Sequence, residues 1–214
     1  MYLPAHFEET RPAVLHELLR QHPLGLLITQ DEQGAPVANS IPFMLDADRG
    51  EFGTLVGHVA RANPVWQLAT GPGHPAALVV FQGANGYVSP NGYPSKAEHG
   101  KVVPTWNYAM VQARGPLQLL DAAAAHALVN RLTQRHEASQ PRPWAVSDAP
   151  DDYIAGMLRA IVCIEIPLVS LVGKYKLSQN RSAADQAGVV AVLQAGGVDT
   201  DAALARAMQA QAGG

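Results

Sequence analysis

Residues 87–108 read YVSPNGYPSKAEHGKVVPTWNY. Turn-formers, aromatics, hydroxyls and two lysines are packed into this span, so no regular element crosses it. Apolar runs lie on both sides. Ala76 to Gln82 reads as a compact strand, and Thr105 to Leu120 resumes as a long one with a bulge or edge at Gly115-Pro116. The span is therefore a polar loop between two strands. On the second strand Trp106 and Tyr108 share a face, and Asn107 points the other way. An aromatic with an amphipathic rim suits the face or edge of a flat ring. A core tryptophan with a satisfied indole N–H is an equal reading. Ser89, Ser95 and Thr105 add hydroxyls, and Lys96 and Lys101 add charge.

Lysine occurs at four positions, and the other two, Lys174 and Lys176, stand in GKYKLSQNRS (173–182). The remaining cations are arginines. A compact, strongly hydrated charge kept in two polar segments points to an anion, most simply a phosphate. Two solvated loops are the plain alternative. GKYKLSQNRS is too polar for a core. It either completes the same pocket or contacts a partner subunit.

Upstream, Thr10 is an N-cap candidate for a helix with Pro12 in its first turn. Val14, Leu15, Leu18 and Leu19 share its face, and Pro23 ends it. Leu24–Gln30 reads as a strand, DEQG (31–34) as a turn, Pro36–Leu45 as the returning strand, and Glu51–Val59 as a third antiparallel neighbour. Asn63-Pro64 opens a short helix with Val65, Trp66 and Leu68 inward, which GPGHP (71–75) stops. Downstream, Asp121 caps AAAAHALVNRLTQRHE. A Pro-rich linker leads to a helix over 151–159, Ile161–Val172 is a last strand interrupted by Pro167, and 183–211 is two helices around Gly196-Gly197. This order predicts a six- or seven-stranded antiparallel barrel covered by helices: mainly β with α.

The chain has 214 residues, 48% hydrophobic and 15% charged, which fits a globular fold rather than a disordered one. A net charge of −3 gives no general attraction to nucleic acid. Cys163, the single cysteine, lies in AIVCIEI and reads as a buried strand thiol. No signal peptide or membrane span is evident, so a cytoplasmic protein is expected. No strand-GxGxxG-helix unit or GxxxxGK[ST] loop supports Rossmann or P-loop nucleotide binding. His99 has no second ligand at metal spacing, so no metal is expected.

Two further constellations carry chemistry. In GHVARANP (57–64) a strand ends, Arg61 offers a planar fork for a phosphate, and the following helix adds free N–H groups. His58 can donate to a phosphate or a ring carbonyl. Asn63 as a plain N-cap and Arg61 as a surface residue form the other reading. In Asn39-Ser40-Ile41-Pro42 the proline interrupts the strand and frees a carbonyl, so a ring with its own donors and acceptors can pair with that edge. An ordinary bulge remains open there.

GHVARANP, YVSPNGYPSK (87–96), VPTWNY (103–108) and GKYKLSQNR (173–181), with MYLPAHF (1–7) and NSIPF (39–43), occur in an order and spacing that resembles the PaiB family, FMN-binding negative transcriptional regulators. The resemblance covers roughly residues 1–192. One departure is Gly92, where the family pattern SPSWYPSK carries an aromatic. The resemblance implies an FMN-binding split barrel, similar to the pyridoxamine-phosphate oxidases, with flanking helices. Residues 1–182 would form the FMN-binding domain, and 183–214 a helical extension packed on it. It further implies a homodimer with flavin at the subunit interface. Arg61 and Lys96 would hold the phosphate, with His58, Asn63 and Ser89 nearby. Asn39 to Pro42, with Asn39 and Ser40 as binding residues, would present backbone to the ring. Thr105, Trp106 and Asn107 would line the pocket, and the segment with Gln179 and Arg181 would close over it. The implied role is negative regulation of transcription, with direct DNA contact unsupported by charge. The alternatives are a flavin-dependent oxidoreductase on a small molecule, or a heme-binding split barrel with His58 or His99 on the iron.

Overall fold

Prolines and glycines decide where strands stop in the computed structural model, which describes residues 1–31, 33–70 and 76–213. In chain order the elements are β1 (Glu8–Glu9), α1 (Pro12–Gln21), β2 (Leu24–Gln30), β3 (Pro36–Pro42), β4 (Met44–Asp46), β5 (Thr54–Ala60) and β6 (Ala76–Val88). Then come α2 (Ser95–His99), β7 (Thr105–Pro116), β8 (Gln118–Leu119), α3 (Ala125–Glu137) and α4 (Asp151–Arg159). β9 (Ile161–Pro167), β10 (Ser170–Lys176), α5 (Ala183–Ala195) and α6 (Asp199–Ala212) complete the described chain. Ten strands are thus present among the described residues, against the six or seven expected. Two- and three-residue strands such as β1, β4 and β8 are too short to leave a periodic signature.

The chain forms two compact units. The first comprises Met1–His22, Gln82–Val111 and Val172–Gly214, the second Pro23–Phe81 and Gln112–Leu171. α5 and α6 share the first unit with α1 and the 87–108 segment.

In the first unit the strands run in the order β1-β10-β7-β6. α1 buries Leu15, Leu18 and Leu19. Its cap is Arg11 rather than Thr10, because Glu9 Oε1 accepts the Arg11 backbone N–H at 2.9 Å and also binds its guanidinium. Glycines let α1 approach the strands. A Cβ at Gly173 would lie 2.3 Å from Leu15 Cδ2, and one at Gly83 3.0 Å from Leu18 Cδ1. That approach explains why β6 runs on to Val88 rather than ending at Gln82: the glycines are packing positions, not breaks.

In the second unit β2 pairs antiparallel with β3, from Leu24↔Pro42 to Gln30↔Pro36, and β3 is an edge strand. The expected strand 36–45 is split. Pro42 has no N–H to continue the ladder, and Phe43 N donates to Pro23 O at 2.8 Å. The chain then enters a second sheet of order β4-β5-β9-β8. The third strand accordingly pairs with β4 and β9, not with β3. A similar break follows Pro167, where Leu168 N donates to Gly53 O and Val169 N to Arg114 O. A Cβ at Gly115 would stand 2.0 Å from Pro167 O, so only glycine fits there. α3 covers one face of this sheet through Met44, Val56, Leu128, Leu132 and Cys163. Cys163 is buried, and burial pushes its thiol pKa up, which keeps it unreactive. Asp31 Oδ1 accepts from Gln33 N and Ala35 N in the β2–β3 turn. The expected stop at 71–75 lies outside the described residues.

Candidate functional site

The expected site residues divide between the two units, and each group has its own geometry. In the second unit Arg61 follows β5. Its Nε donates to Arg159 O at 2.7 Å and Nη2 to Ile161 O at 2.9 Å, which fixes the guanidinium and leaves its other N–H groups uncommitted. Trp66 Nε1 donates to Arg61 O at 2.9 Å. Asn63 Oδ1 accepts from Val65 N at 3.0 Å at the start of the 3-10 helix Pro64–Thr70, so Asn63 caps it. Val65 and Ala69 are the residues this helix buries, while Trp66 and Leu68 stay partly exposed.

Asn63 also ties this junction to β3. Its Nδ2 donates to Asn39 Oδ1 at 2.9 Å. Asn39 Nδ2 is then left buried without a hydrogen-bond partner. Asn39 faces the same side of β3 as buried Ile41, whereas Ser40 is exposed on the opposite side. β5 passes close to this strand end: a Cβ at Gly57 would lie 3.1 Å from Pro42 O and 3.4 Å from Ile41 Cγ2. His58, the next residue, pairs across the sheet with Cys163 and shares its face. Its Nδ1 is buried and unpartnered, and burial lowers its pKa, so the imidazole is neutral at physiological pH.

In the first unit, β6 and β7 wall an open depression of about 450 Å³ lined by Gln82, Asn85, Trp106, Tyr108 and Met110. Trp106 is 52% exposed, which argues against the core reading. Its ring stands edge-on to Tyr87 at 6.3 Å, and its indole N–H reaches Asn85 Oδ1 at 3.4 Å. Thr105 and the Trp106 carbonyl accept from Lys176 Nζ at 2.5 and 2.6 Å. Burial first, then the neighbouring cations Lys174 and Arg181, hold the Lys176 pKa below the ordinary lysine value. Asn107 points inward as the alternation requires and is 1% exposed. Its Nδ2 donates to Ser178 Oγ at 2.8 Å, so its amide belongs to the interior and is not presented beside Trp106.

Ser89 Oγ accepts from Asn91 N at the 3-10 turn Pro90–Gly92. Lys96, in α2, is exposed and donates to Asn91 Oδ1 at 2.6 Å. Gln179 clasps its own turn: Oε1 accepts from Leu177 N, and Nε2 donates to Tyr175 O. Arg181 lies over the Tyr93 ring at 5.1 Å. The segment expected to be too polar for a core is largely buried. Lys174 is 8% exposed, with Nζ donating to Tyr2 O and lying 5.5 Å from the Tyr108 ring centroid. Strand β10 and paired cation–π contacts make that burial possible. Composition alone missed it, although the period-two alternation of Tyr175 and Leu177 carried the signal.

Sequence reasoning also missed Asn85, whose place on a continued β6 was hidden by Gly83 and Gly86, and Gln82, which it read only as the end of the strand. Among the described residues no cluster of three or more His, Cys, Asp or Glu could hold a metal ion, and no helix is long and apolar enough to cross a membrane.

An uncharacterised protein of Aspergillus fumigatus is 32% identical, covering 98% of this chain and 97% of its own. The Bacillus subtilis "Protease synthase and sporulation protein PAI 2" is 28% identical, covering 91% of this chain and 89% of its own. Among solved structures, the FAD and heme binding protein of Mycobacterium smegmatis superposes with a TM-score of 0.57 at 19% identity, over 90% of this chain and 81% of that one. That likeness is one of fold: mixed α/β, with a split, open arrangement of sheets and flanking helices. Over residues 1–170 the chain matches the family model described as "Putative FMN-binding domain", and it belongs to that family.

Proposed function

We propose that this chain binds FMN as a cytoplasmic homodimer and acts as a negative regulator of transcription. Arg61 and Lys96 hold the phosphate, with Ser89 and Asn63 fixing the backbone around them. Asn39 and Ser40 on the β3 edge meet the polar rim of the ring. Thr105 and Trp106 offer a wall to its flat face, and Gln179 and Arg181 shape the segment beside it. When bound, the flavin supplies electron-transfer chemistry that no side chain has.

The observation that carries the reading is Asn39 Nδ2, a buried amide donor without a partner on a sheet edge. Such a group costs free energy unless something accepts from it. A heterocycle with carbonyl and ring-nitrogen acceptors does so, and the β3 edge adds backbone groups beside it. Family membership and the aromatic depression at Trp106 support the same ligand. The regulatory role is the one the PaiB resemblance implies. A net charge of −3 favours control through the flavin over strong direct DNA contact.

Titration of FMN with the protein, followed by loss of flavin fluorescence, tests the reading. Saturable quenching together with a mass near twice 22.7 kDa by light scattering supports it. Unquenched flavin at high protein concentration rejects it. A heme reading has one observation in its favour, the neutral His58 with a free Nδ1. A Soret band after heme addition, with flavin fluorescence unchanged, would establish heme instead. NAD(P)H oxidation by the FMN-loaded protein would replace regulation with an oxidoreductase role.

A further inference from the structure

We infer that Asp185 is a positioning residue for Lys96: through Ser95, the first turn of α5 fixes where the lysine is presented to the flavin phosphate. The inference rests on the flavin reading above and extends the site to a helix beyond residue 170, where the family match ends.

α2 has five residues, too few to hold its own shape in water. Its anchor is external. Asp185 is 5% exposed, and both its oxygens serve Ser95: Oδ1 accepts from Ser95 N at 3.1 Å and Oδ2 from Ser95 Oγ at 2.8 Å. Asp185 is itself held, because Ser182 Oγ caps α5 by accepting from Asp185 N at 3.2 Å. Burial opposes its ionisation. The Ser95 and Ser182 hydrogen bonds and the Arg181 charge outweigh that effect, and the carboxyl stays below its usual range.

Two more contacts seat the loop on the helix. Arg181 lies over Tyr93, and the backbones meet where two glycines face each other. A Cβ at Gly188 would stand 2.2 Å from Gly92 O, and one at Gly92 3.2 Å from Val189 Cα. Gly92 is the position where the resembled pattern carries an aromatic ring. In this chain that ring's space is taken by α5. Lys96, one residue past the Asp185 anchor, borders an open depression of about 520 Å³ between the loop and α5. A carboxylate that grips the backbone and hydroxyl of Ser95 therefore sets the direction of Lys96 without touching it.

The test measures dissociation constants of FMN and riboflavin, which differ only in the phosphate, for wild type, Lys96→Ala, Asp185→Asn and the double variant. Asp185→Asn is expected to weaken FMN about tenfold and riboflavin less than about twofold. The double variant should bind FMN no more weakly than Lys96→Ala alone. If Asp185→Asn melts at room temperature, Ser95→Ala replaces it, with a loss for FMN of about threefold expected. An unchanged FMN-to-riboflavin ratio in Asp185→Asn or its Ser95→Ala substitute, with Lys96→Ala altered, overturns this inference alone. Multiplying effects in the double variant overturn it as well. A silent Lys96→Ala overturns the phosphate reading and this inference together.

Discussion

Asn39→Asp changes one group in a way the structure makes readable. Asn39 Oδ1 accepts from Asn63 Nδ2 at 2.9 Å, and an aspartate keeps that acceptor. What disappears is Nδ2, the buried donor without a partner. In the unliganded protein nothing is hydrogen-bonded to that atom, and the substitution puts an unpaired carboxylate oxygen in its buried place, so the melting temperature should fall while the transition stays cooperative. Binding is where it matters. A buried polar group left unpaired costs about 1–3 kcal/mol, and a ligand acceptor removes that cost, so losing the donor should weaken flavin about 5- to 150-fold. The second carboxylate oxygen now faces the ligand's acceptor and places the loss toward the upper part of that range. Because the contact is with the ring, FMN and riboflavin should weaken by the same factor. Fluorescence titration of both flavins reads this directly. FMN affinity within twofold of wild type, with a cooperative melting curve, would refute the assignment of Asn39 to the ring.

Arg61→Ala should behave in the opposite sense: FMN weakens by about 2–4 kcal/mol and riboflavin little, since a charged fork on the phosphate is lost. The exposed bonds to Arg159 O and Ile161 O add a small loss of thermal stability, about 1 kcal/mol. Gly115→Ala is expected to destabilise by about 2–4 kcal/mol in denaturant titration, because its methyl would meet Pro167 O. A neutral result would show that β7 and Pro167 separate easily. Glu9 is held below the usual carboxyl range by hydrogen bonds from Arg11, against burial. The sign follows: its stabilisation is complete above the unfolded carboxyl pKa and is lost as pH falls through the lower folded value. Melting temperature should therefore drop more steeply with acid in wild type than in Glu9→Gln, and parallel curves would count against the pairing.

Strand β2 and the helix pair α5–α6 were legible in the sequence because period-two alternation, glycines and proline boundaries all spoke locally. The sheet changes at Pro42-Phe43 and after Pro167 were not. A proline says that a ladder stops, yet the partner that takes over, Met44 against Val56 for instance, is fixed by tertiary pairing. Gly83 and Gly86 misled in the same way, since a glycine that admits Leu18 or Leu204 looks in sequence like a break. At the site, residue types were legible and their commitments were not. Arg61, Trp106 and Asn63 stood out by chemistry and position. That the inward Asn107 meets Ser178, and that Asp185 grips Ser95 across ninety positions, depends on contacts that no spacing encodes.

The absorption spectrum of the protein after incubation with FMN and desalting tests the central claim most directly. Retention of the paired flavin bands, near one FMN per chain, is the expected result. A colourless eluate at any protein concentration would contradict the account.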